Sequence, residues 1–147
     1  MANKEAAETR TVELVLDSTL ESVDLAEEAV LREAHELGFG EDEQHHIGMS
    51  VRGCMVNAVV HGNRYNARKK VYVKAARTAD RLTVVIADEG EGFDMNALPD
   101  PLANENLLRH SGRGLLLIQA FMDEFQIRTR EPKGTEVTMV KYVGKTS

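Results

Sequence analysis

The chain has 147 residues, 42% hydrophobic and 29% charged, with 24 acidic against 18 basic side chains and a formal net charge of −6. That length suits one domain with a sizeable core, and the balance of apolar and charged residues excludes wholesale disorder. The longest aliphatic run, Leu115–Ile118, is far short of the roughly 20 residues that cross a bilayer, and residues 1–10 lack a signal-peptide-like apolar stretch. The single cysteine, Cys54, rules out an internal disulfide and suits a reducing compartment. The acidic balance argues against direct nucleic-acid binding, which requires many phosphates to be neutralised. The expectation is a small acidic domain of the cytoplasm, independent of membrane and nucleic acid.

Residues 1–10 are polar and expected to be flexible, with one domain spanning 11–143. Val12, Leu14 and Leu16 alternate with Thr11, Glu13 and Val15, the period-2 pattern of a strand. Ser18-Thr-Leu-Glu21 reads as a capping box with Ser18 as N-cap. Leu20, Val23, Ala26, Val30, Ala34 and Leu37 then mark one apolar helical stripe, stopped by Gly38. A second helix follows the acidic Glu41-Asp42-Glu43, with Ile47, Val51, Met55 or Cys54, Ala58 and Val59 on its apolar side and an end near His61-Gly62-Asn63. Val71–Ala76 and Leu82–Ala87 form a hairpin around Thr78–Asp80. Leu115, Ile118, Phe121, Met122 and Phe125 mark a third helix; Phe125–Arg130 and Thr135–Val143 are two further strands joined at Pro132-Lys-Gly134. The order predicts an α/β two-layer sandwich, a mixed and mostly antiparallel sheet with helices on one face.

Three segments depart from plain core-and-surface patterning. Asn57 is a poor helix-interior residue, because its amide competes for backbone hydrogen bonds. With Gly53 and His61 four residues to either side it forms a stripe, either a solvated face or one turned to a ligand. Strand Leu82–Ala87 delivers Asp88 into a loop with Gly90 and Gly92, where backbone and a flat ligand could approach closely; a surface turn is the alternative. Ser111-Gly-Arg-Gly-Leu115 opens a helix, where free N–H groups and Arg113 suit a phosphate, though an ordinary loop has the same composition.

Other motifs are excluded. Asp88, Glu89, Glu91 and Asp94 lack EF-hand spacing, Gly144-Lys-Thr146 lacks the glycine and helix of a P-loop, and Gly90-Glu-Gly92 lacks the third glycine of a Rossmann turn. No His-Glu-x-x-His helix is present. His45 and His46 read as solvent-facing. The basic run Arg64, Arg68, Lys69, Lys70, Lys74 and Arg77 reads as a solvated loop and strand edge, or else as a docking surface for an acidic partner.

Taken together, Asn57-Ala-Val-Val-His61, Asp88-Glu-Gly-Glu-Gly92-Phe, Gly112-Arg-Gly-Leu115, Met122-Asp-Glu-Phe125 and Gly134-Thr135 resemble the GHKL ATPase superfamily, with its Bergerat fold. The match is closest to the small anti-sigma-factor serine/threonine kinases of bacteria and runs from about Val12 to Tyr142. The resemblance implies ATP or ADP as ligand. Asn57 would coordinate a Mg2+ ion bridging the phosphates, and Asp88 would accept a hydrogen bond from the adenine amino group beside Gly90 and Gly92. Residues from Met95 to His110 would form a lid, Gly112, Arg113 and Gly114 would close on the phosphates, and Thr135 would support the adenine end through water. It also implies a sigma factor and an anti-anti-sigma antagonist as partners, and a homodimer.

One position departs from the family pattern. A glutamate normally stands four residues before the asparagine, as general base or orienting group; here it is Gly53. Arg52 cannot replace a carboxylate, and whether Glu41, Asp42 or Glu43 approaches is left open. The catalytic residue is therefore unassigned. The leading expectation is an ATP-binding anti-sigma regulatory factor that phosphorylates its antagonist if catalytically competent. The alternative is a non-catalytic nucleotide-binding module of the same fold, and a metal-dependent hydrolase built on the acidic loop is disfavoured for want of a ligand set.

Overall fold

The computed structural model describes residues 10–90, 114–131 and 133–144, with backbone alone for residues 114–117. Five strands, β1 (Arg10–Asp17), β2 (Lys70–Arg77), β3 (Arg81–Ala87), β4 (Glu124–Thr129) and β5 (Thr135–Tyr142), form one sheet in the order β1-β2-β3-β5-β4. The helices are α1 (Leu20–Leu37), α2 (Glu41–Val56), continued by a π-helical segment (Asn57–Gly62), and α3 (Gly114–Phe121). Every pairing among the described strands is antiparallel. The sandwich is thus the expected α/β one, without a parallel pairing in the part described.

The core follows from strand alternation meeting helical periodicity. Val71, Val73 and Ala75 of β2, Leu82, Val84 and Ile86 of β3, and Val137 and Met139 of β5 are buried on one side of the sheet. They pack in one cluster with Val23, Ala26, Val30 and Ala34 of α1 and Ile47, Val51, Cys54 and Met55 of α2. Leu20, expected on the α1 stripe, stands 54% exposed; the packed stripe begins at Val23. Burial among apolar neighbours pushes the Cys54 thiol well above its ordinary range, so it is an inert core residue.

Two sequence expectations about local chemistry are corrected. The N-cap of α1 is Thr19, not Ser18: its side chain accepts from the Ser22 N–H at 3.4 Å. Ser18 is buried and donates instead to the Lys69 carbonyl at 2.5 Å, a tertiary bond spanning 51 positions that a local capping pattern cannot reveal. His46 is not solvent-facing: its ring stacks on Phe121 at 4.3 Å between centroids and 7°, joining α2 to α3.

The basic run does not form one surface. Lys70 pairs with Asp17 at 2.5 Å, whereas Arg77 turns to the helical layer and donates to Glu33 at 2.7 Å. β2 lies inside the sheet, flanked by β1 and β3, and so supplies no edge. Glu33, 2% exposed on α1, also pairs with Arg10 at 3.5 Å, fastening the ends of β1 and β2 to the helix. Removing that charge leaves Arg77 without its buried partner. Glu33→Gln should lower unfolding free energy by about 2 kcal/mol, read as a shift in the urea midpoint with unchanged slope.

Candidate functional site

The site begins where β3 ends. Asp88 is 6% exposed, and its N–H continues the β3–β5 ladder by donating to the Thr135 carbonyl at 3.0 Å. Its Oδ1 accepts from the Gly90 N–H at 2.9 Å and the Thr135 N–H at 3.3 Å. Hydrogen bonds to the carboxylate from the described residues all fall on Oδ1, so Oδ2 keeps acceptor capacity. Burial raises the Asp88 pKa above the ordinary carboxylate value, against the opposing pull of the Gly90 and Thr135 N–H groups and of the Arg130 and Lys69 charges.

Three glycines make this arrangement possible. A Cβ on Gly62 would come within 2.5 Å of Asp88 Oδ2, one on Gly90 would collide with the Gly62 carbonyl, and one on Gly134 would collide with the Asp88 carbonyl. Gly134 also sits at φ +113, which L side chains rarely adopt. The helix end, the β3 exit and the β4–β5 turn therefore meet backbone to backbone around one carboxylate.

Asn57 comes from the other layer. From this residue on, the α-helical ladder gives way to a π-helical one, with the Asn63 N–H reaching back five residues to the Ala58 carbonyl at 2.8 Å. The even four-residue stripe read from Gly53 through Asn57 to His61 is therefore interrupted, and His61 is exposed. π-helical turns concentrate at functional sites. The Asn57 Nδ2 is buried without a hydrogen-bond partner among the described residues, an unmet polar group of the kind that a ligand satisfies. Turning the amide over would put Oδ1 in the same place, so the group suits a phosphate oxygen or a hydrated hard cation. On this ground the residues present fit a magnesium nucleotide.

Of the other expected site residues, Gly90 and Thr135 join Asp88 through their backbones, and Gly114 is the first residue of α3. Gly92, Gly112, Arg113 and the proposed lid, Met95 to His110, lie outside the described residues. Gly53 is half-buried on α2. Glu41, Asp42 and Glu43 do not stand in for its missing carboxylate, since they lie about 15–18 Å away along the same helix axis. Arg52 is held by Asp24 at 2.8 Å and Glu27 at 2.5 Å, both on α1. No three His, Cys, Asp or Glu side chains among the described residues are grouped as a metal site.

Sequence reasoning missed Asn63, Gly62 and Arg130 as parts of the site. Arg130 donates to the Asp88 carbonyl at 3.3 Å while its guanidinium lies 4.6 Å from the Tyr72 ring centroid. Gly134 reads as a turn residue and as part of the Gly134-Thr135 motif, and the resemblance puts Thr135 near Asp88, but the close approach of the Gly134 backbone to the Asp88 carbonyl has no local signal.

Two outcomes follow from this geometry. Gly134→Ala should cost about 2 kcal/mol or more in urea unfolding, combining the positive φ with the collision at Asp88. The raised Asp88 pKa means that the folded state holds this proton more tightly than the unfolded chain does. Asp88 therefore contributes a loss of stability as pH rises from the ordinary carboxylate range through its folded value. Asp88→Asn should remove that slope when urea midpoints are compared between about pH 4 and 7.

Comparison with known proteins agrees with the arrangement. Residues 16–141 match the histidine kinase-like ATPase domain. The chain is 32% identical to the anti-sigma F factor of Oceanobacillus iheyensis over 106 residues, covering 71% of this chain and 73% of that protein. It is 30% identical to the serine-protein kinase RsbW of Bacillus subtilis over 116 residues, 75% of this chain and 71% of the kinase. A helix ending in a buried amide, a strand ending in a buried aspartate and a family match across nearly the whole chain lead to one conclusion: the chain belongs to the histidine kinase-like ATPase family.

Proposed function

We propose that the chain is an ATP- and ADP-binding anti-sigma regulatory factor, which sequesters a sigma factor and answers to an anti-anti-sigma antagonist. The observation that carries the nucleotide part is Asp88, a buried carboxylate with one oxygen held by two backbone N–H groups and the other retaining acceptor capacity. An exocyclic amine such as that of adenine is the matching donor; a 6-oxo purine presents an acceptor there and meets repulsion. Asn57 would hold a Mg2+ ion shared with the phosphates, and the ion would neutralise phosphate charge. Gly112, Arg113 and Gly114 would contact the phosphates at the start of α3, and Thr135 and Gly92 would line the adenine end. The anti-sigma part rests on the relatives, named as an anti-sigma F factor and a serine-protein kinase. A homodimer acting in the cytoplasm is part of this proposal. No helix among the described residues is long and apolar enough to cross a membrane.

A second reading separates binding from catalysis, and Gly53 favours it. In place of the family's glutamate stands a residue without a side chain, and the adjacent Arg52 is committed to Asp24 and Glu27. In that reading the nucleotide sets conformation and partner choice, with little phosphoryl transfer. Transfer rests largely on positioning and charge stabilisation, so loss of the base lowers the rate without disturbing the binding residues.

Titration of ATP with Mg2+ followed by calorimetry tests the nucleotide reading. Asp88→Asn should weaken ATP binding more than tenfold, since an amide pays for its new N–H donors with lost charge-assisted acceptance. Undiminished binding would refute the role given to Asp88. Labelled ATP with a cognate anti-anti-sigma antagonist separates the two readings. Transfer by the parent chain makes it a serine/threonine kinase without the glutamate, and transfer only by Gly53→Glu makes the natural chain a binding module.

A further inference from the structure

Asn63 is 2% exposed and ends the π-helical segment. Its Oδ1 accepts from the Glu89 N–H at 2.8 Å, and its Nδ2 donates to Ser18 Oγ at 2.9 Å and the Lys70 carbonyl at 3.0 Å. Ser18 in turn donates to the Lys69 carbonyl. One buried amide thus spends its acceptor and both donors on three separate segments: the residue after Asp88, the β1–α1 junction and the start of β2. The Lys70 N–H adds a second tie to the same loop, donating to Glu89 Oε2 at 2.6 Å.

We propose that Asn63 is the positioning residue of the nucleotide pocket, holding the Asp88–Gly90 turn through the Glu89 N–H so that the carboxylate discriminates an amino purine from an oxo purine. The inference rests on the reading of Asp88 as the base-binding group. Glu89 lies between Asp88 and Gly90, so its peptide orientation decides whether the Gly90 N–H can reach Asp88 Oδ1. A free Glu89 N–H would let the turn rotate, and the carboxylate would lose a fixed direction. Only an amide serves all three neighbours at once: a carboxylate keeps the bond from Glu89 but loses both donors and faces the Lys70 carbonyl with like polarity. Ser18 supports Asn63 from behind, which ties the pocket to the first turn of α1.

The test measures affinities of the parent, Asn63→Asp, Ser18→Ala and Glu33→Gln for Mg-ATP and Mg-GTP by calorimetry, well below each thermal midpoint. Partial unfolding weakens both nucleotides by the same factor, so the ATP-to-GTP ratio reports positioning and not stability. Asn63→Asp should lower that ratio about tenfold and Ser18→Ala about threefold. Glu33→Gln, destabilised at a distance, should keep the parent's ratio. Should Asn63→Asp fail to fold, the Ser18→Ala ratio decides. A ratio within error of the parent in the folded variants, alongside a lowered thermal midpoint, makes Asn63 purely structural and overturns the inference while leaving Asp88 its role. A parent that binds neither nucleotide, or binds both alike, overturns the pocket reading and this inference together.

Discussion

Burying an ionised carboxylate at the end of a strand is unfavourable unless polar partners surround it, and the site is organised around meeting that demand at Asp88. Its partners are backbone N–H groups from two different segments, Gly90 and Thr135, which approach only because Gly62, Gly90 and Gly134 lack side chains. The antiparallel β3–β5 pairing supplies the rest, since Ala87 lies opposite Glu136 and sets Asp88 beside Thr135. The partners hold one carboxylate oxygen and leave the other able to accept. A carboxylate buried for stability alone would gain from having both oxygens satisfied.

The helical layer answers the same demand from the other side. A regular α-helix carried through Asn57 would bring Asn63 back to its own ladder; the π-helical turn lets the Asn63 N–H reach Ala58 while its side chain goes to Glu89, Ser18 and Lys70. Within the same segment Ala58 and Val59 remain in the core, so the widened turn keeps its apolar anchors while admitting a buried amide at Asn57. Two asparagines six residues apart thus have opposite fates. Asn63 has its acceptor and both donors satisfied, whereas the Asn57 Nδ2 has no hydrogen-bond partner among the described residues.

What the sequence made legible were features governed by local rules. Alternation located β1, turn-bounded apolar runs located β2 to β5, helical periodicity located α1 and α2, and the strand-to-glycine transition singled out Asp88. The third helix, expected through Phe125, ends at Phe121 because Phe125 pairs with Met139 in the sheet. Features set by long-range contact stayed hidden. Ser18 satisfies the local capping pattern but is engaged instead by Lys69 and Asn63, far along the chain, and Thr19 takes the cap. His46 looked solvent-facing because its partner, Phe121, lies on another helix. The π-helical turn has no periodic signature over six residues, and Arg77 looked like one more surface charge until α1 presented Glu33 to it.

Gly53 can be weighed against this arrangement. The groups that would recognise the base sit at the β3 exit and the β4–β5 turn, and the amide that would meet the phosphates lies four residues further along the chain, where the π-helical segment begins. None of them uses a side chain at position 53. A glycine there removes whatever a carboxylate would contribute to proton transfer, yet leaves every described hydrogen bond around Asp88 and Asn63 in place. Arg52 reinforces the separation. Its guanidinium is drawn toward α1 by Asp24 and Glu27, which raise its pKa through hydrogen bonds, so the charge beside Gly53 is spent on joining two helices. On the proposed reading, the groups that would recognise the nucleotide are therefore held independently of the side chain at position 53.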